Sequence, residues 1–435
     1  MHADGIIEKE GFLTELENQY AQLIDRDALK KVRNRAWDHF LELGLPSRKM
    51  EAFRKVPLAR LFSKKYALAT STIDVSAQEV ESFLIPEAKD SCLVFVNGQY
   101  RDDLSRKTGL DSSIEVMSLD RAMKAYSSLL SSAWAKAIKE DTDAFSVLNA
   151  ALHQGGLFCY IPPKLVLAKP IQILNVISTE ESHQHLMPRV HFFCGRESDV
   201  TVLSNVESLK GNEYLLNFAY QISLDEAARC QLVHWGHEAE DSWTFGAFRS
   251  QLKRDAFLEV STASTGTCTI RHDYHVQLMG ENANAFLNGL SQLDGKNQVH
   301  NHILLHHQAP HCYSSQLFKG VLNGSSRSSF EGKILVNPEA QKTDAFQLNN
   351  NLVLSDQAIA YSKPNLEIFA DDVKASHGAT VGQLDEDQLF YLQSRGISQE
   401  EASLKLVAGF TGEILEKVKI DSVRKIISSA FTAKI

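Results

Sequence analysis

The chain has 435 residues, 43% of them apolar and 23% charged, with a formal net charge of −9. That much apolar material supports a packed core in two or three domains, which excludes disordered and fibrous classes. The negative balance and the lack of any basic stripe argue against nucleic-acid binding.

No window approaches the roughly 18 uninterrupted apolar residues of a membrane span. The opening stretch MHADGIIEKEGF carries charges where a signal peptide needs an apolar run. The expectation is a soluble, cytoplasmic protein. Its cysteines (Cys92, Cys159, Cys194, Cys230, Cys268 and Cys312) are scattered without a CxxC pair. That pattern suits reduced, buried thiols better than a disulfide framework.

Residues 1–60 pattern as helix. Phe12, Leu13, Leu16, Tyr20 and Leu23 fall at spacings of three and four, and Leu29, Val32, Trp37, Phe40 and Leu41 continue them. Gly44-Leu45-Pro46 stops that pattern. Cys92–Val96 is an apolar strand run followed by the two-residue turn signal Asn97-Gly98. Residues 117–140 return to helical patterning.

From about residue 145 short β-rich runs follow one another: Phe158–Ile161, Ile171–Val176, Val190–Phe193, Val200–Leu203 and Phe218–Ile222. Ala228, Ala256 and Ala285 each open an alternating run, 28 and 29 residues apart, and Ala358 opens another about 30 residues after Ser328-Ser329-Phe330. A period of that length suits one coil of a β-solenoid, although a large β-sandwich gives similar statistics. Asn349-Asn350-Asn351 and Asn323-Gly324 fall where such a coil would turn. Leu366, Ile368 and Ala370 alternate as a strand with its apolar side inward. After Gly382 a helical pair follows: Asp385 caps the first helix, Gly396 ends it, and Ser398 with Glu401 opens the second. Leu404, Val407, Phe410, Ile414 and Val418 share one side of that second helix. The boundaries are 1–143 for a mostly helical N-terminal α/β region, 144–380 for a β body, and 381–435 for a helical end.

His300 and His302 project from one face of a strand, and His306, His307 and His311 follow. Paired histidines of this kind begin the metal site of some β-barrel enzymes. No Glu occurs between His300 and Glu331 to complete one, so solvated strand residues are the plainer reading. His234 with His237, and His272 with His275, pattern as surface or strand-end residues. A phosphate loop GxxxxGK[ST], a GxGxxG after a strand and a GxSxG elbow are all absent. Asp371-Asp372 is the only acidic pair near a strand end in this region, too little for a solenoid glycosidase. His377-Gly378, at a strand end before the helices, is placed to present an imidazole at a surface or interface. On an adjacent helix Tyr391 and Arg395 share a face and are interface-prone residue types, whereas Phe390 patterns as core.

Several segments then line up in order over residues 330–397. They are Phe330-Glu-Gly-Lys-Ile-Leu-Val336, Ala340-Gln-Lys-Thr-Asp344, Asn351-Leu-Val-Leu-Ser355, Leu366-Glu-Ile-Phe-Ala-Asp-Asp-Val373, Ser376-His-Gly-Ala-Thr-Val-Gly382 and Leu389-Phe-Tyr-Leu-Gln-Ser-Arg-Gly-Ile397. In sequence and spacing this resembles the C-terminal signature of the SufB/SufD family of iron–sulfur cluster assembly scaffolds. Weaker similarity runs through Gly44-Leu-Pro-Ser-Arg48 and Phe145-Ser-Val-Leu-Asn149. The His-Gly-Ala-Thr stretch and the lack of any cysteine after Cys312 are SufD-like rather than SufB-like. Two departures stand out: Ala375 replaces a cysteine often found two residues before the histidine, and Glu51-Ala-Phe53 only partly matches the family's N-terminal motif.

The resemblance implies a right-handed parallel β-helix and a non-catalytic scaffold role. It implies pairing with a SufB-like subunit and docking of a SufC-like ATPase by the C-terminal helices, with Tyr391 and Arg395 as the contact residues; whether two copies pair in isolation stays open. His377 would serve as an iron ligand or cluster-assembly residue at the subunit junction. No tightly bound cofactor is implied, only iron or a nascent cluster held transiently. The reading from another class is a metal-dependent β-fold enzyme using His300 and His302.

Overall fold

A computed structural model describes residues 4–23, 29–69, 75–211 and 213–432. Met1–Ala3 of the opening stretch lie outside the described residues. The N-terminal helices are α1 (Asp4–Leu23), α2 (Lys30–Leu43), α3 (Leu58–Phe62), α4 (Ala77–Glu81), α5 (Leu119–Ala125), α6 (Ser127–Glu140) and α7 (Ala144–Leu152). Gly44 closes α2 with φ +67°, its N–H donating to Phe40 O at 2.8 Å, as the sequence signal predicts. Phe12, Trp37, Phe40, Phe62 and Phe145 pool their rings into one apolar core under these helices, which continues onto Phe158 and Phe245 of the β body.

Among these helices run β1 (Ala67–Leu68), β2 (Cys92–Val96), β3 (Gln99–Arg106) and β4 (Glu115–Ser118). Asn97 (φ 48°) and Gly98 (φ 81°) make the β2–β3 turn, where a Cβ on Gly98 would stand 2.7 Å from the Met187 backbone nitrogen. The β body starts with β5 (Leu157–Ile161), β6 (Ile171–Ser178), β7 (Gln184–Leu186) and β8 (Arg189–Cys194). It continues through β9 (Asp199–Lys210), β10 (Tyr214–Leu224), β11 (Arg229–His237), β12 (Trp243–Leu252), β13 (Phe257–Ser264) and β14 (Thr269–Leu278). It closes with β15 (Asn284–Leu293), β16 (Gln298–His307), β17 (Tyr313–Leu322), β18 (Arg327–Val336), β19 (Thr343–Val353), β20 (Ile359–Ile368) and β21 (Val373–Gly382).

From β8 on, successive strands alternate between two sheets, and each pairs in parallel with the strand two further along. That connectivity is a parallel β-solenoid and not a sandwich. Even-numbered strands from β8 to β20 form one sheet, and odd-numbered strands from β9 to β21 the other. Parallel register stacks like on like. Phe248 lies between Tyr220 and Tyr274 in the interior, with ring centroids 5.9 Å and 4.9 Å away and planes within 8° and 10°. The cysteines are all free and buried, as their spacing predicts.

The repeat is set at one corner of each coil. Glu197, Ala227, Asp255, Asn282, His311 and Lys342 all adopt φ between 55° and 60°, and each is followed by a buried small residue. The aligned small residues therefore include Ala228, Ala256 and Ala283, not Ala285, which sits one position inside the next strand's register. Ala358 likewise stacks on Ser326. Asn323-Gly324 is a turn as expected, but Asn349–Asn351 lie within β19. Asn349 and Asn351 are buried there, with Asn351 Nδ2 donating to Asn349 Oδ1 at 2.8 Å. An asparagine run signals a turn only where its amides lack an interior partner.

The C-terminal part contains α8 (Glu386–Ser394), α9 (Gln399–Leu415) and α10 (Asp421–Thr432), one helix more than the sequence pattern suggested. Asp385 caps α8 and Ser398 caps α9 as predicted. Helices α9 and α10 lie against the outer face of the odd-numbered sheet: Ile414, Val423, Ile427 and Phe431 pack on Trp235, Leu290 and Leu317. Lys319 pins α9, donating to Phe410 O at 2.9 Å and pairing with Glu413 at 2.6 Å. Helix α8 has no buried residue. No helix among the described residues is long and apolar enough to cross a membrane.

Candidate functional site at the open end of the solenoid

Each sheet ends on a strand paired on one side only among the described residues, β20 in one and β21 in the other. Alternate residues along each ten-residue strand present backbone groups with no further strand to meet them. Around this edge stand exposed apolar side chains, with Phe369 64% and Val381 54% accessible, joined by Phe346 and Leu348. Leu366 and Ile368 pack beside Ile334 and Val336 as expected, but at this end they are only half-buried.

His377 is exposed in the middle of β21 and not at a strand end, because the strand resumes at Val373 and runs on to Gly382. It tops an interior column in register from coil to coil: Leu232, Val260, Leu287, Gln316, Gln347, His377. The column turns from aliphatic to amide as it nears the opening, and Gln347 Nε2 donates to Gln316 Oε1 at 2.9 Å. Gly378 beside it leaves little room: a Cβ there would stand 3.0 Å from Leu348 Cδ1. Ala375 pairs with Ala345, so no thiol stands at that position. The geometry can present one imidazole, unencumbered, at a surface made for strand pairing.

On α8, Tyr391 is 57% exposed and the Arg395 guanidinium stands 5.2 Å from its ring centre, so the two share a face as predicted. Phe390 overturns the core expectation: it is 71% exposed, because α8 packs no face against the body.

His300 and His302 lie elsewhere, on the outer face of β16, and neither is a freely solvated strand residue. Buried His300 faces Ser329 Oγ at 2.7 Å and Gln298 Oε1 at 3.3 Å. Burial, helped by the Arg271 charge, pushes it down to about 3. His302 donates from Nδ1 to Asp273 at 2.7 Å. Among the described residues no group of three or more His, Cys, Asp or Glu could hold a metal ion. His306 instead meets Asn337, His307 meets Ser314, and His311 is a corner residue. His234 and His272 also depart from the surface expectation: both are buried inside the solenoid, with rings 5.7 Å apart among Phe218, Phe248 and Tyr274.

Beneath His302 runs a buried ion network that sequence reasoning missed. Arg249 reaches Asp141 and Asp273, each at 2.8 Å, and Arg271 reaches Asp143 at 2.6 Å and Asp273 at 2.8 Å. Burial pushes the Asp141 carboxyl up, but the Arg249 charge and hydrogen bonds outweigh it and hold it below the usual range. For Asp143 burial wins and the carboxyl is raised. The network bolts the α6–α7 junction onto the solenoid. Its links to Asp141 and Asp143 span more than 100 residues of sequence, and the one local feature is the N-cap that Asp143 makes for α7.

The fold defines the chain as a parallel β-solenoid with one open strand edge and a helical layer against one sheet. Two family models place it more closely. The SUF system FeS cluster assembly SufBD core domain matches residues 176–410, and the SufBD protein N-terminal region matches residues 8–173. The chain belongs to the SufBD family. It is 29% identical to the iron–sulfur cluster assembly protein SufD of Escherichia coli over 94% of each chain. It is 30% identical to a SufBD family protein of Synechocystis over 90% of this chain and 88% of that one. Identity to SufB of Bacillus subtilis is 26%, over 77% of this chain and 72% of the relative.

Proposed function

We propose that this chain is a SufD-like, non-catalytic scaffold subunit of a SUF-type iron–sulfur cluster assembly complex. The observation that carries the reading is His377 exposed on an edge strand at the open end of the solenoid. A SufB-like subunit adds its own edge strands to β20 and β21, burying Phe369 and Val381, and His377 then lies at the subunit junction. Iron or a nascent cluster, the cargo of the complex, is held there between the imidazole and thiolates from the partner. Neutral imidazole is a borderline ligand, able to hold iron and release it. ATP hydrolysis belongs to a SufC-like ATPase, docked on the aromatic and guanidinium groups of α8.

The test is His377→Ala in the assembled complex. The complex is recovered intact while cluster formation on it is lost; full cluster formation would refute the ligand role. For the ATPase contact, Tyr391→Ala with Arg395→Ala abolishes co-purification with the ATPase. Retention at wild-type affinity would remove α8 from the interface.

A further inference from the structure

His300 and His302, which the assembly role leaves unused, line a cavity of about 190 Å³ between the outer face of the even-numbered sheet and the segment 51–55. That segment straps across the strands at three points. Phe53 covers the Arg271 guanidinium at 4.1 Å, Lys55 stands 3.7 Å over the Tyr361 ring, and Glu51 pairs with Lys363. Behind the strap, four cationic side chains (Arg54, Lys55, Arg271 and Lys363) face two acidic ones, Glu51 and Glu331. Lys363 is held between both acids, pairing with Glu51 and lying 3.7 Å from Glu331, which leaves the cationic surplus with Arg54 and Lys55 on the strap.

Two donors in the lining lack acceptors among the described residues. Arg271 spends its terminal nitrogens on Asp143 and Asp273, and its Nε–H is buried with no partner. The side chain is 2% exposed. The Ser362 hydroxyl is likewise buried and unpartnered. A buried donor without an acceptor is costly, and two in one cavity wall call for a group from outside the described residues. His302 adds a third group: its Nδ1 is taken by the Asp273 carboxylate, which leaves Nε2 for a ligand.

We infer that this cavity binds a small oxyanion, a carboxylate- or phosphate-bearing molecule, which bridges the 51–55 strap to strands β16, β18 and β20. Its oxygens accept from Arg271 and Ser362, and Arg54 and Lys55 balance its charge. The site lies on the solenoid's flank, separate from the open end, and does not depend on the assembly role.

The experiment titrates the full chain calorimetrically with inorganic phosphate and, separately, with citrate, against sodium chloride of equal ionic strength. Saturable one-to-one binding of either is expected, and the tighter one identifies the headgroup chemistry. Arg54→Ala and Ser362→Ala should each weaken it about tenfold, one charge-assisted hydrogen bond's worth, with the melting temperature of the unliganded chain unchanged. Heat indistinguishable from the salt control for both anions would overturn the inference, leaving the donors to ordered water. Equal binding by wild type and both variants would also overturn it, by placing the anion elsewhere.

Discussion

The middle and last coils of the solenoid have the same backbone, the same parallel register and opposite fates. In β10 and β12 nearly every residue is buried, on the inner side by neighbouring coils and on the outer side by helices and the ion network. In β20 no residue is buried, and β21 is mostly exposed, although Leu366 and Ile368 stack on Ile334 and Val336 as regularly as any pair below them. Burial in a solenoid thus comes from the coil above as much as from the residue's own side chain. A last coil without a polar cap is a surface waiting for another chain.

That comparison can be broken most sharply by a charge. Ile303 and Ile368 belong to the same sheet two coils apart, one fully buried and the other half-buried. Ile303→Asp should destabilise by more than about 4 kcal/mol, because an unpaired carboxylate is buried in the stack. Ile368→Asp should cost about 1 kcal/mol or less in the isolated chain. Urea denaturation of the two variants checks this, and equal losses would show the last coil to be as closed as the middle.

Next comes truncation in the aromatic stack. Phe248→Ala opens a cavity between Tyr220 and Tyr274 and should cost about 3–5 kcal/mol. Phe369→Ala at the open end should stay within about 0.5 kcal/mol, while weakening association with a SufB-like subunit. Melting and pull-down on the same preparations separate the two effects.

Acid sharpens the contrast further. Burial holds His185, His272, His300 and His307 near 3, well below their ordinary value of about 6.5. The unfolded chain protonates these rings as pH falls through about 6.5, while the folded chain keeps them neutral until near 3. Stability is therefore fully present above pH 6.5 and lost progressively towards pH 3, by about 1.4 kcal/mol per pH unit for each ring that charges on unfolding. Denaturation midpoints across that range test it. A flat profile down to pH 5 would contradict the burial of these rings. None of the four stands on the terminal strands, so the acid response belongs to the closed part of the molecule.

The sequence by itself determined some of the strands, the helix caps at Asp385 and Ser398, the stop at Gly44 and the hairpin at Asn97-Gly98, because these depend on neighbours within a few residues. It also singled out His377, Tyr391 and Arg395; the helical spacing of the last two holds, whereas the strand-end reading of His377 gives way to a position in mid-strand. Only the tertiary structure decided which coil buries what. Asn349 and Asn351 became interior residues because the lumen supplies amide partners, His234 and His272 because aromatic rings close around them, and Phe390 stayed exposed because α8 lies chiefly against α9 and turns Phe390 outward. The corner repeat escaped sequence reading because its positive-φ residue is Glu, Ala, Asp, Asn, His or Lys in turn, never Gly. Hydrogen bonds between successive corners hold that conformation, as from Ala227 N–H to Arg254 O at 2.8 Å, so the neighbouring coil and not the residue type selects it.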